Sequence, residues 1–426
     1  MKKIALGAAL LPLLTWADDP APGTFSSSFS QTAFLPDISF IVDASYVNRN
    51  KTNDEVAHLE IPGVAHGLIG SHSHGDSSHA TYNASEGFNL NYAELALSSS
   101  VDPYFTLDGV LHISEDSIEI EEAYFTTTSL PYGFRFRGGK FLSDFGYINS
   151  RHAHVWDFAD MPLVYQAFLG DHGIDEIGAQ LQYLLPTSFY WMVGGEALQG
   201  SNEMMFGNAT IPEGAETDEA WVKAPDLPAL YVAYTKASFD IGDTTLLGGL
   251  SYARGATRLD HLDDEDPHAF AGMSSLYGAD LVVKHYFDSY RYLKWQSEWL
   301  YRDMDGTKYV PDDAAPDGYV SMDMTKKQAG YYTQLVYAFD QNWRIGGRFD
   351  SIYRNDVTAG GSKLSLPDDL HRYTAMIDFS PSEFSRFRLQ YNHNDALYNE
   401  DGERQNVDTV ILQANIAIGA HGAHSF

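Results

Sequence analysis

Apolar and polar side chains alternate with a period of two, again and again, from about residue 36 to residue 418. In the run from Trp343 to Asp350, Trp343, Ile345 and Phe349 share one face, while Arg344, Arg348 and Asp350 share the other. Successive side chains of a strand point to opposite faces, so such a segment has one greasy wall and one charged wall. Leu293, Trp295, Trp299 and Tyr301 alternate in the same way with Lys294, Gln296, Glu298 and Arg302. Phe387, Leu389 and Tyr391 alternate with Arg386, Arg388, Gln390 and Asn392, and Tyr373, Ala375, Ile377 and Phe379 with Arg372, Thr374 and Asp378. The pattern predicts 16 strands, at 36–49, 84–101, 104–114, 118–128, 134–142, 175–185, 189–199, 229–239, 244–254, 275–287, 292–302, 328–339, 343–353, 371–379, 385–394 and 406–418. Those at 118–128 and 244–254 alternate poorly.

The connections sort into two kinds. Every even-to-odd connection is short: Asp102-Pro103, residues 129–133, 186–188, 241–243, 289–291, 341–342 and 381–383. The odd-to-even ones are long, at 50–83, 143–174, 200–228, 255–274, 303–327, 354–370 and 395–405, with 115–117 the one short exception. A soluble β-protein has no reason to sort its loops this way. A transmembrane barrel does, with short periplasmic turns and long external loops. The expected fold is therefore all-β: a transmembrane antiparallel up-and-down β-barrel of about 16 strands. No stretch after the N-terminus approaches 18 apolar residues, so any crossing falls to a closed barrel.

Lys2 and Lys3 precede an apolar run from Ile4 to Leu14, and the small residues Thr15 and Ala17 follow. That is the three-part pattern of a cleaved signal peptide at 1–17; the run is too short for a spanning helix of about 20 residues. Residues 18–35, rich in Pro, Ser and Gly, are expected to be a flexible lead-in, and 36–426 a single barrel domain. Export and barrel together point to the cell outer membrane.

Composition narrows the function. The formal charge is −31, with 58 acidic against 27 basic residues, which disfavours nucleic acid as a partner. Aromatics at 14% argue against the disorder that such acidity often brings. Cysteine is absent, and a barrel whose strands are all paired needs no disulfide.

The stretch EEAYFTTTSLPYGFRFRGGKFLSDFG, residues 121–146, resembles the porin superfamily, most of all the phosphate-selective porin O/P type. With HVWDFADMPLVYQAFLG, residues 154–170, it also resembles a group of proteobacterial outer-membrane proteins, some labelled zinc-regulated TonB-dependent receptors. Such receptors carry a globular plug before a 22-stranded barrel, and a first strand near residue 36 leaves no room for one. The C-terminal Phe426 resembles the closing-strand signature of outer-membrane proteins. The partners that the resemblance implies are membrane lipid and lipopolysaccharide, the barrel-assembly machinery and small solutes. General porins are homotrimers, but the connection at 115–117, where such trimers often latch, is short here.

Two constellations are candidate sites. In general porins the third external loop folds inward and narrows the pore; here it is 143–174, with Asp144, Asp157 and Asp160. The polar strand faces supply Arg135, Arg137, Arg344, Arg348, Arg372, Arg386 and Arg388. Opposed acidic and basic walls would filter solutes by charge; solvation by pore water or pairing for stability is the alternative. The second constellation is His66, His72, His74 and His79 in the first long loop, with His152 and His154 in the third. Imidazoles bind Zn2+ or another divalent cation when three or four ligands converge, so external loops that capture metal are the second functional reading. Acidic external segments, Asp263–Asp266, Asp303, Asp305, Asp312 and Asp313, suggest a negative vestibule or a solvated surface. No nucleophile elbow or phosphate-cradling glycine loop supports an enzyme. The expected function is a porin-like channel for passive diffusion of small polar or charged solutes.

Overall fold

A computed structural model describes residues 36–66, 82–115, 117–202, 204–216, 219–263 and 266–419. The expected signal peptide and lead-in, His72, His74, His79, Asp264, Glu265 and Phe426 lie outside the described residues.

Sixteen long antiparallel strands form one closed sheet. They are β1 (Asp37–Arg49), β2 (Gly87–Asp102), β3 (Phe105–Ile113), β4 (Ile118–Thr127), β5 (Phe134–Leu142), β6 (Asp175–Leu184), β7 (Tyr190–Leu198) and β8 (Leu230–Ile241). There follow β9 (Thr244–His261), β10 (His268–Tyr286), β11 (Tyr292–Pro311), β12 (Tyr319–Ala338), β13 (Trp343–Ala359), β14 (Leu370–Ser382), β15 (Ser385–Tyr398) and β16 (Arg404–Gly419). Each pairs with its chain neighbours, and β1 closes on β16 from Ser39↔Gly419 to Arg49↔Thr409. Among the described residues two short α-helices lie in connections, α1 (Asn53–Ala57) and α2 (Leu163–Leu169). Among the described residues no helix is long and apolar enough to cross a membrane.

The two faces divide as the alternation demands. On the outer face Leu250 is 62% exposed and Leu389 46%, while inward-facing Arg386 and Gln390 are buried. Exposed Phe105, Phe134, Phe189, Phe239, Phe339 and Trp343 ring the short-turn end. Tyr46, Tyr231, Tyr277, Tyr353 and Tyr373 form a second girdle higher up the wall. Phe239 and Tyr231 are about 26 Å apart along β8, or about 20 Å along the axis of a tilted barrel, within the roughly 25 Å apolar band of such proteins.

Two of the expected long loops are instead tall hairpins, and a third is partly strand. Strands β9 and β10 stay paired to His261↔His268, and β11 and β12 to Pro311↔Tyr319. Strand β13 likewise extends to Ala359. Above the bilayer neither face must be greasy, so the alternation fades while the backbone ladder continues. That is why 255–274, 303–327 and 354–370 resemble loops in sequence.

The poor alternation at 118–128 also has a cause. Val110 pairs with Glu122 and Leu111 with Ile120, so Glu121 is an extra residue. A bulge breaks the period of two, and both Glu121 and Glu122 are buried. A second bulge in β2, where Asp43 pairs with Tyr92 and Ala44 with Leu90, inserts Asn91.

A charge placed on the lipid face should be costly. Leu250→Arg, level with Thr235 and Ala279 at mid-wall, is expected to destabilise the barrel by about 2–4 kcal/mol. Met322→Arg, on the β11–β12 hairpin above the bilayer, should change it by no more than about 0.5 kcal/mol. Urea unfolding of both variants in lipid vesicles measures the difference.

Candidate functional site: the loop folded into the lumen

At the end of β5 the chain turns inward and runs through the barrel as residues 143–174 before rejoining the wall at β6. This loop has no sheet ladder to satisfy its backbone, and a buried unpaired group costs about 1–3 kcal/mol. The polar faces of the strands meet that need. Glu196 on β7 accepts from the Ser143 hydroxyl (2.5 Å), the Asp144 N–H (3.0 Å) and the Gln180 amide (2.8 Å). Glu298 on β11 accepts from the Tyr147 N–H (2.7 Å), the Ile148 N–H (3.0 Å), and the hydroxyls of Tyr165 (2.7 Å) and Tyr332 (2.5 Å). Asp350 accepts from the Leu163 N–H and Gln390 from the Ala159 N–H, both at 2.8 Å. Gly146 sits at φ 64, a left-handed conformation where a Cβ would strike the Tyr165 hydroxyl and the Glu298 carboxylate.

Helix α2 carries the apolar half of the fit. Leu163, Val164, Tyr165 and Phe168 are fully buried and join a cluster with Leu276, Leu300, Met304, Tyr332 and Ile352 on the wall. The first loop adds a layer above: Arg302 donates to the Val64 carbonyl at 2.8 Å and Gln328 to the Gly63 carbonyl at 2.8 Å. The barrel is thus largely filled at mid-height rather than lined by water throughout.

The arginines and aspartates singled out in the sequence meet across this contact. Arg344 bridges Asp378 (2.6 Å) and Asp157 (3.2 Å), and Asp157 also receives Lys294 (2.8 Å). Arg348 holds Asp160 (2.9 Å) and Asp350 (2.9 Å); Arg372 reaches Asp160 (3.2 Å) and the Met161 carbonyl (2.5 Å). Arg386 donates to the carbonyls of His154 (2.7 Å) and Trp156 (3.2 Å), and Arg388 to that of Trp156 (2.9 Å). These pairs act as bolts, with no water gap between the charges. Arg135 and Arg137 stand apart: Arg135 bonds Gln182 at 2.7 Å, and Arg137 lies over the Tyr124 ring at 4.4 Å. Asp144 joins them on the short-turn side, bonded to Gln182 (2.7 Å) and near Lys236 (3.5 Å). Burial raises the Asp157 carboxyl, but Lys294 and Arg344 outweigh it and hold the group well below the usual carboxylate range.

The histidines are divided. His152 and His154 lie inside, against β2–β4, and not on the external surface. His66 stands at the end of a two-residue ribbon, Ala65–His66, in the first loop.

Residues that periodicity could not rank include Glu196, Glu298, Lys294 and Tyr147. Each sits at an ordinary lumenal or loop position, and nothing in a strand pattern says which lumenal acid will meet a loop N–H. Below the loop, half-exposed Tyr147 is faced by Arg151 (4.4 Å) and Lys294 (5.4 Å), and Lys284 stacks on Tyr292 (4.3 Å). Among the described residues no carboxylate pairs with Arg151, Lys284, Arg135 or Arg137, so these four cations stand on the lumenal side without an ion pair. A hollow of about 520 Å³ beside Tyr231, Tyr252 and Met273 lies on the lipid side of the wall and is no part of the lumen.

A closed 16-stranded barrel with a girdled apolar exterior and an inward third loop has the fold of outer-membrane porins. Solved structures agree at the level of fold. The loop L8 deletion mutant of OmpT, an outer membrane protein of Vibrio cholerae, matches with a TM-score of 0.51 at 10% identity, over 91% of this chain and 100% of that one. The anion-selective porin from Comamonas acidovorans matches with a TM-score of 0.50 at 10% identity, over 90% of this chain and 99% of that one. No family model matches the chain. It is 50% identical over 403 residues to an uncharacterized protein of Aquifex aeolicus (strain VF5), which covers 94% of this chain and 82% of that protein. The chain belongs to the family of that protein.

Removing the Glu298 carboxylate strands four donors at once. Glu298→Ala is expected to cost at least about 3 kcal/mol and to expose the 143–174 loop to protease in the otherwise folded barrel. Acid should loosen the same loop. A carboxylate whose value is depressed on folding stabilises fully above its unfolded value, about 3.9, and loses that contribution as pH falls through the lower folded value. Limited proteolysis across a pH series from 7 to 2 records the onset, expected only below about pH 4.

Proposed function

We propose that the protein is an outer-membrane channel for passive diffusion of small polar or charged solutes, with the 143–174 loop as its constriction. The observation that carries this reading is the charged strip around Tyr147, where Arg151 and Lys294 border the loop on its half-exposed side. Lys294 is paired with Asp157, whereas Arg151 has no carboxylate partner among the described residues, and an unpaired cation at a narrow, low-dielectric passage favours anions. The chain's −31 charge does not oppose this, because acids such as Glu196, Glu298 and Asp350 are consumed by the loop's donors. The resemblance of residues 121–146 to phosphate-selective porins O/P agrees in sign, and small oxyanions are the solute class it favours. In the O/P-like reading, Arg135 and Arg137 on the short-turn side line the exit and Asp144 with Lys236 sets its width. The mechanism in this reading is selection by size and charge without energy input.

Planar-bilayer recording tests it. The purified protein should give small ohmic steps with anion preference, and Arg151→Glu with Lys284→Glu should shift the permeability ratio several-fold toward cations. Silent bilayers after verified insertion of folded protein would contradict the channel.

A further inference from the structure

The lumenal wall beneath the start of the loop holds a second constellation that the channel reading does not use. Glu94 on β2, His112 on β3, Glu121 on β4 and His152 on the loop each aim one ligand atom at a common point, all within 4.8 Å of one another. Glu94, His112 and Glu121 are buried, and His152 is half-buried. His112 Nε2 lies against Glu121 and 3.4 Å from Glu94 Oε2. His152 Nδ1 lies 3.3 Å from Glu121 Oε2 and 3.8 Å from Glu94 Oε2. A tetrahedral centre with bonds of about 2.0–2.1 Å has ligand edges of about 3.3 Å, close to these separations.

The surroundings are built to hold such ligands. His152 Nε2 donates to Glu122 at 2.9 Å, and Glu122 is itself fixed by the Leu142 N–H at 2.9 Å. With that proton on Nε2, the Nδ1 lone pair points to the centre. A carboxylate that orients a histidine in this way is the usual outer shell of a metal site. The His112 ring is stacked on Tyr92 at 4.7 Å, and His154 Nδ1 bonds Glu94 at 3.1 Å. The bulge at Glu121 turns two successive acids inward, and the bulge at Asn91 sets the parity that places Glu94 there. Three buried carboxylates thus converge, and among the described residues no lysine or arginine pairs with them. The three imidazoles of His112, His152 and His154 lie against these carboxylates, so the buried charge is balanced either by protons on the imidazoles or by a cation that the neutral imidazoles and carboxylates ligate.

We propose that Glu94, His112, Glu121 and His152 bind one divalent transition metal ion of the zinc type. Two imidazole nitrogens, two carboxylate oxygens and no sulfur suit such an ion in tetrahedral geometry; calcium and magnesium take six or more oxygens or keep several waters. Three ligands come from the wall and one from the loop, so the ion cross-links the loop to β2–β4. The proposal goes beyond the channel reading and stands whether or not the barrel conducts.

Co2+ titration of the chelator-stripped, detergent-folded full chain tests it, read by visible absorption. The expected result is one equivalent of Co2+ with tetrahedral-type bands, displaced by Zn2+, and slower proteolysis of the loop when loaded. The signal should vanish in His112→Ala and His152→Ala and survive in the triple variant His72→Ala/His74→Ala/His79→Ala. Glu122→Gln leaves all four ligands in place and should weaken binding about 10–100-fold; it also serves if the ligand variants fail to migrate as folded barrels. Absence of a stoichiometric signal in the wild type would overturn the proposal. So would a signal lost in the triple variant yet kept in His112→Ala, or an affinity that Glu122→Gln leaves unchanged.

Discussion

A chain inside hydrocarbon must satisfy every backbone N–H and C=O with its own partners. Pairing β1 with β16 removes the two free edges, and the rest of the architecture follows from that closure. Once the sheet is closed, its outer residues have only lipid to face and its inner residues only each other, water or an inserted segment. Here they face an inserted segment. The same rule that closes the wall then governs the 143–174 loop, whose backbone donors find Glu196, Glu298 and Asp350, and whose carbonyls find Arg372, Arg386 and Arg388.

This arrangement gives the lumenal charges two kinds of work. On one side they are bolts, in pairs such as Arg348–Asp160 and Arg344–Asp157, and most are too buried to meet a solute. On the short-turn side Arg135, Arg151 and Lys284 are half-exposed or exposed and carry no carboxylate. Breaking a bolt should act first on the loop's position, and altering an unpaired cation should act first on the passing ion. On the proposed channel reading, the distinction separates the charges that hold the loop from those that would meet a solute.

Much of the fold was legible in the sequence because the lipid imposes a strict period of two. All 16 strands fall where the alternation places them, to within a few residues at the short-turn ends. The upper ends of β9–β13 were not legible, because these strands leave the bilayer and one greasy face is no longer required. The bulge at Glu121 hid β4 in part, and it also hid the cluster of Glu94, His112, Glu121 and His152. Those four residues are spread over three strands and a loop, and no spacing rule joins them. Parity put the arginines on the lumenal face, but neither their facing Asp157 and Asp160 nor their touching them was legible in the sequence. His152 and His154 read as external ligands, although their loop was expected to fold inward, because no local pattern says which of its residues meet the lumenal wall.

The contact between Asp160 and Asn392, 3.0 Å apart on loop and wall, probes the inward loop directly. The chain has no cysteine, so Asp160→Cys/Asn392→Cys can be refolded in an oxidising buffer with no competing thiol. A loop bolted to the wall predicts a bridge between positions 160 and 392 in the folded barrel, seen by mass spectrometry of the digested protein. Two free thiols that both react with a hydrophilic maleimide in the folded barrel would mean that the loop stands away from the wall, and the account would fail.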